Sequence, residues 1–196
     1  MVYDGVLLGL IVGLFRGGFR QGLTGLSNIR LTAGWIFPLL LLVQLAIFYL
    51  QEHSAFLASI NGYLFMAVYV AGLVFLWLNR QHAGFRLILI GVFLNFLVMA
   101  VNGGRMPVSL SASSVLGPYY VELLQSGEVI SKHFMMDSAT RLSFLGDIIP
   151  LSAPYPRTQV ISIGDVVMNV GIFLFIQSVM VAKKKKVNGQ VNPHHA

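Results

Sequence analysis

Long apolar runs, rather than alternation, dominate the pattern of this chain. Five stretches are apolar on every face over several helical turns: residues 3–19, 31–50, 61–78, 86–102 and 163–182. A membrane-crossing helix needs about 20 predominantly apolar residues to pass ~30 Å of hydrocarbon with its backbone satisfied internally. The pattern therefore predicts an all-α fold, a polytopic membrane helix bundle of about five transmembrane spans. The first run is the shortest and requires Arg16 as a snorkelling end residue. The second carries Pro38, which predicts a kink. Tyr63 and Trp77, near the two ends of the third, suit rings lying at headgroup level.

Residues 103–162, between the fourth and fifth runs, are far longer than an ordinary connection. Tyr119, Tyr120, Leu123, Leu124, Ile130 and Phe134 would leave too much apolar surface in water if this segment were disordered. Two short interfacial helices are expected in it, about 118–131 and 138–145, with Asp137 or Ser138 capping the second. Pro150, Pro154 and Pro156 then impose an extended approach to the last run. The whole segment is expected to pack on the outer helix ends as a long helical lid.

Composition agrees with the runs. The chain is 56% hydrophobic and 10% charged over 196 residues, with a mean hydropathy of +0.77, against roughly 25% charged residues in soluble domains. No cysteine is present, which removes thiol catalysis, Cys-ligated zinc and iron–sulfur clusters. The net charge of +6 could suit nucleic acid, but the basic residues sit at the ends of the runs instead of forming a face interleaved with aromatics, so no nucleic-acid partner is expected.

Charge placement predicts orientation. Arg16, Arg20, Arg30, Arg80, Arg86 and Lys183 to Lys186 are nine of the thirteen basic residues and fall on one side. The seven acidic residues, Asp4, Glu52, Glu122, Glu128, Asp137, Asp147 and Asp165, fall on or at the edge of the other. Basic residues near span ends stay cytoplasmic, which puts the N-terminus outside and the C-terminus inside. Residues 1–182 are then one transmembrane domain and 183–196 a basic cytoplasmic tail. The run from Val6 to Phe15 follows Asp4 rather than a basic region, unlike a cleavable signal, and is expected to be retained.

Candidate chemistry gathers at the outer side. Asn102, Gly103, Gly104 and Arg105 stand where the fourth run ends. Exposed amides beside a guanidinium could hold a lipid phosphate or a carboxylate; the plainer reading is a helix C-terminus capped by Asn and Gly. Two similar segments, Leu145-Gly146-Asp147 and Ile163-Gly164-Asp165, each set a carboxylate among apolar residues, with Asn169 one turn beyond Asp165. Such a pair could share a proton as acid and base, with Arg105 as partner. The plainer reading of Asp165 is a capping box opened by Ser162. His53, His82 and His133 are isolated from one another and lack metal-site spacing, so no metal or cofactor is expected. Arg16-Gly17-Gly18-Phe19-Arg20 lacks phosphate-loop spacing and reads as a basic anchor with a flexible turn.

Asn102-Gly-Gly-Arg-Met-Pro107, the Leu-Gly-Asp segment, the closing Ser-Ile-Gly-Asp-Val and the opening Gly13-Leu14-Phe15-Arg16-Gly17-Gly18 together resemble an uncharacterised bacterial integral-membrane family, a domain of unknown function. The resemblance implies that the outer-side motif and the two Gly-Asp sites are shared by the family, but no activity; the bacterial cytoplasmic membrane is the expected location. A looser similarity to lipoprotein signal peptidase carries over only Asp165, because the Asp-Arg expected of the partner aspartate is missing. The leading expectation is a pocket on the outer face for a lipid or small amphipathic ligand, with Asn102, Gly103, Gly104, Arg105 and Asn169 binding it. A rival is a hydrolase or transferase with catalytic Asp147 and Asp165. A third is an assembly or sensor subunit, as a homo-oligomer or with a membrane partner. A transport path is disfavoured, since Gln44, Asn95, Asn169 and Gln177 are the few polar residues within the runs.

Overall fold

The computed structural model describes residues 2–51, 53–126 and 132–181. Lys183 to Lys186 and the tail lie outside them, as do Glu52 and Glu128. The helices are α1 (Val2–Gly17), α2 (Phe19–Ser27), α3 (Ile36–Gln51), α4 (Ala55–Leu78), α5 (Phe85–Ala100), α6 (Leu110–Ser113), α7 (Pro118–Gln125) and α8 (Ile163–Met180). The strands are β1 (Met106–Val108), β2 (His133–Met135), β3 (Ile149–Leu151) and β4 (Gln159–Ile161).

The fold is mostly helical, but the sequence reading needs four corrections. The first apolar run does not continue to residue 19. Gly18 takes φ +76°, a conformation open mainly to glycine, and divides it into α1 and the amphipathic α2. Pro38 produces no kink, because α3 begins at Ile36 and Pro38 falls in the first turn, where a missing N–H has no intrahelical acceptor to lose. Residues 138–145 form no α-helix; Asp137 closes a turn by accepting at Oδ1 from the Ala139 N–H (2.9 Å) and the Thr140 hydroxyl (3.0 Å), and a 3-10 turn follows at Ser143–Leu145. The fold is also not all-α. Segment 101–162 carries a parallel pair β1–β2, with Met106 opposite His133, and an antiparallel pair β3–β4, with Ile149 opposite Ile161.

The long helices lie in a row, α3 against α4, α4 against α5, α5 against α8, and α8 against α1 and α2. Glycine sets the tightest contacts. Gly84, just before α5, and Gly91 within it meet Gly171 and Gly164 on α8 backbone to backbone, leaving no room for a Cβ. Gly5, Gly9, Gly13 and Gly17, four residues apart on α1, face Asn169, Ile176 and Met180. Small residues at such spacing are how apolar helices approach closely without a water-driven core. Polar side chains lace the same seam: the Gln177 amide donates to the Gly9 carbonyl (2.7 Å) and the Gly5 N–H to Asn169 Oδ1 (2.9 Å).

Besides an apolar core that includes Phe65, Phe75, Phe85, Val98, Met99 and Met180, the structure buries several polar side chains and exposes many apolar ones. Asn61, Asn79, Asn95, Asp147, Ser162 and Gln177 are buried, while Leu41, Leu42 and Leu45 on α3, Val70 and Val74 on α4, Phe93 on α5 and Val166, Val170 and Leu174 on α8 are exposed. Two helices, Ile60–Leu78 and Ile163–Met180, are long and apolar enough to cross a membrane; Ile36–Ile47 and Phe85–Ala100 are apolar but shorter. Segment 101–162 caps one end of the row, where Met106 and Leu145 pack with Val98 and Met99. Arg80 and Arg86 mark the opposite end, where Phe75, Leu76 and Phe85 cluster.

Candidate functional site

The cap is fastened at the end of α5. Asn102 Nδ2 donates to the Val98 carbonyl one turn back (2.7 Å) and to the Arg141 carbonyl (2.8 Å), while Arg141 N–H donates to Asn102 Oδ1 (3.0 Å). One amide thus pairs with a backbone 39 residues away as a strand would. Gly103 (φ +69°) and Gly104 (φ +80°) turn the chain, and Gly104 crosses Gly62 of α4 so closely that a Cβ would meet the Gly62 backbone. Arg105 Nη2 then donates to the His133 carbonyl (2.9 Å), and burial lowers the guanidinium's pKa. The geometry is that of a capped helix end holding the cap down.

Asp165 performs the N-terminal counterpart. Its N–H donates to Ser162 Oγ (3.0 Å) and its Oδ2 accepts from the Ser162 N–H (3.1 Å), a reciprocal capping box at the start of α8. Oδ1 accepts from the Asn95 amide (3.0 Å), whose own Oδ1 takes the Ser162 hydroxyl (2.8 Å). Asn169 Nδ2 donates to the Asp165 carbonyl (2.8 Å). Both oxygens of Asp165 are therefore engaged within the α5–α8 seam.

Asp147 stands apart. It is buried in the cap beside β1, its N–H donating to the Pro107 carbonyl (2.9 Å) and its carbonyl accepting from the Ser109 N–H (3.0 Å). Its Oδ2 lies 3.5 Å from His133 Nε2. Burial first, then the field of Asp165, pushes its carboxyl up to about 8, with Lys132 pulling the other way. His133 is shifted down, by desolvation and then by Lys132 and Arg105. Both shifts favour the neutral form, of the carboxyl and of the imidazole alike. Tyr69 of α4 lies within electrostatic reach of both Asp147 and Asp165.

Of the residues singled out in sequence, Asp165 and Asn169 share one network, Asn102, Gly103 and Gly104 form the turn, Arg105 meets the His133 backbone, and Asp147 meets the His133 ring. Sequence reasoning missed His133 as the partner of Asp147, and Asn95 as that of Asp165; an asparagine inside an apolar run was the available signal for the second. It also missed Asn79, which repeats the Asn102 device at the opposite end. Asn79 Nδ2 donates to Phe75 O one turn back and to Thr32 O, both 2.9 Å, while Thr32 N–H donates to Asn79 Oδ1 (2.8 Å). Among the described residues no group of three or more metal-ligating side chains occurs. Two open apolar grooves lie between helices, one of about 450 Å³ between α4 and α5 and one of about 180 Å³ between α3 and α4.

An uncharacterised protein of Thermotoga maritima is 36% identical over 103 residues, which cover 53% of this chain and 55% of that relative. The chain thus matches about half of the relative's length. No solved structure matches. The model of a family of unknown function, DUF5317, matches residues 28–177, a stretch that takes in Asn102 to Pro107 and both Gly-Asp segments and begins after Gly13 to Gly18. On that match, the chain belongs to the family of unknown function DUF5317.

Proposed function

We propose that this chain is a five-span protein of the bacterial cytoplasmic membrane, N-terminus outside, and that its cap takes a lipid or small amphipathic molecule on the outer face. The observation that carries the binding reading is how the cap divides its side chains. Asn102 and Arg105 are bonded to the backbone of the cap itself, whereas Leu110, Tyr119, Tyr120 and Phe144 are all more than half exposed, on a surface they share with polar residues such as Glu122, Asp137 and Arg141. Tyr119 and Tyr120 sit edge to face at 5.5 Å at the start of α7, a rigid aromatic surface with polar tips suited to the headgroup boundary. In this reading Asn102, Gly103, Gly104, Asp165 and Asn169 hold the frame, Arg105 and His133 stand behind it, and the aromatic pair meets the ligand.

A short-chain phospholipid carrying a diazirine, added to proteoliposomes, should label Tyr119 or Tyr120 saturably. Labelling that spares α7, or that never saturates, rejects the binding reading. Orientation has its own check, since the chain has no cysteine of its own. Ser138→Cys should react with an external impermeant maleimide and Thr24→Cys should not.

One observation favours a second reading, a hydrolase or transferase: Asp147 holds its proton near neutral pH and feels the Asp165 carboxylate. Asp147 would then serve as acid and Asp165 as base. Asp147→Asn should abolish turnover of a lipid or lipidated peptide with the fold intact; unchanged turnover would discard this mechanism.

A further inference from the structure

The larger groove lies away from the cap. Leu73, Val74 and Trp77 of α4 form one wall, and Leu89, Ile90 and Phe93 of α5 the other. Each wall is an i, i+3/i+4 stripe, so its side chains stack on one face along the helix. Extended toward the arginine end, both stripes reach a cation, Arg80 three residues beyond Trp77 and Arg86 three before Leu89. The Arg80 guanidinium lies 4.2 Å over the Trp77 ring and donates to the Trp77 carbonyl (2.7 Å). Both arginines are exposed, and among the described residues neither has a carboxylate partner.

From this convergence we infer that the α4–α5 groove is a site for an anionic phospholipid of the arginine-side leaflet, an acyl chain lying between the stripes and the phosphate held by Arg80 and Arg86. The volume falls within the range of small-molecule sites, ~300–1,000 Å³. The lining is wholly apolar side chain, which suits a hydrocarbon chain, and two guanidiniums at one mouth suit a phosphate. Trp77 and Arg80 together span the level where acyl chain gives way to headgroup. The inference rests on the membrane-spanning reading, and its test separates the two.

Trp35 and Trp77 are the only tryptophans. The full-length Trp35→Phe protein therefore reports from the groove, and Trp77→Phe reports from Trp35, which is exposed just before α3. Both are reconstituted in vesicles containing dibrominated phosphatidylglycerol or dibrominated phosphatidylcholine, whose bromines quench a nearby indole. Trp77 should be quenched at lower mole fraction by the phosphatidylglycerol, a preference of about fivefold per arginine. Adding Arg80→Gln and Arg86→Gln should bring the preference to unity. Equal quenching of Trp77 by both lipids in the arginine-bearing protein overturns the anionic site. Quenching of Trp35 but not Trp77 also overturns it, because protein rather than lipid then covers the groove. If neither tryptophan is quenched, the membrane-spanning reading itself fails and the site fails with it.

Discussion

In the helical row, α5 and α8 touch through the bare backbone of two glycine pairs; in the cap, backbone is joined by three-residue strands and by the Asn102 side chain, which pairs with the Arg141 backbone as a strand would. The row exposes many apolar side chains and buries Asn95, Ser162 and Gln177 alongside Phe65, Phe75, Val98, Met99 and Met180. The cap packs Met106 and Leu145 against the helices and leaves two tyrosines on its surface. On the membrane-spanning reading proposed above, the difference follows from what surrounds each region. Where both interior and exterior are apolar, burying apolar surface gains little, and stability depends on close approach and internal hydrogen bonds. At the chain's polar end, apolar burial again contributes, at about 25 cal/mol per Å² removed from water.

That contrast can be broken at graded cost. Gly91→Leu should do most damage, because its side chain would occupy the Gly164 backbone and displace Met168. A loss of about 3 kcal/mol or more is expected for an insertion with no room to relax, read as loss of a monodisperse folded peak in detergent. Next comes Leu41→Arg on the exposed face of α3. If that face meets hydrocarbon, the arginine opposes insertion by about 3 kcal/mol; unimpaired membrane insertion in a glycosylation-reporter assay would mean the face meets water or protein.

Asn102→Ala should cost about 2 kcal/mol, since it removes two bonds to the Arg141 backbone at ~1 kcal/mol each. The loss should be local, with faster amide exchange or proteolysis in the cap and no change in α1 or α8. The smallest effect is a pH slope. Asp147 titrates near 8 in the folded chain against an ordinary value of 3.8, so the unfolded state binds fewer protons between them and stability falls as pH rises through that window. His133, shifted downward, acts in the opposite sense below its ordinary value of 6.5, where stability falls as pH drops. The two effects oppose each other below 6.5, leaving Asp147 to act from there to about 8. Over that interval thermal stability in detergent should decline by about 1 kcal/mol per pH unit at most, and Asp147→Asn should flatten the slope.

The long helices were legible because an apolar run of four or five turns has few alternatives. Their ends were less so. Gly18 and Ile36 depend on local conformation and on what α2 and Asn79 pack against, which the runs do not encode. The cap was misread where strands of three residues pair across a long interval: Met106 with His133 carries no alternation long enough to see, and parallel pairing leaves no hairpin signal. The Ser162–Asp165 capping box was visible in spacing alone. Asn95 as its third member was not, since that bond spans 70 residues. Asn102 stood out by its position, and its bonds to the Arg141 backbone span 39 residues, which no local spacing shows.

The α5–α8 seam has a mechanical consequence. Two glycine pairs seven residues apart fix the helices at points separated by about 10 Å along the axis, and at each of them backbone lies against backbone, with Asn95 and Ile88 packed beside. Sliding or rotating one helix against the other would drive backbone into backbone, so α5 and α8 behave as a single stiff strut from the Arg86 end to the cap. Any motion relating the two faces of this protein would then have to travel through its softer members, α4 with its groove or α1 and α2 at the other flank.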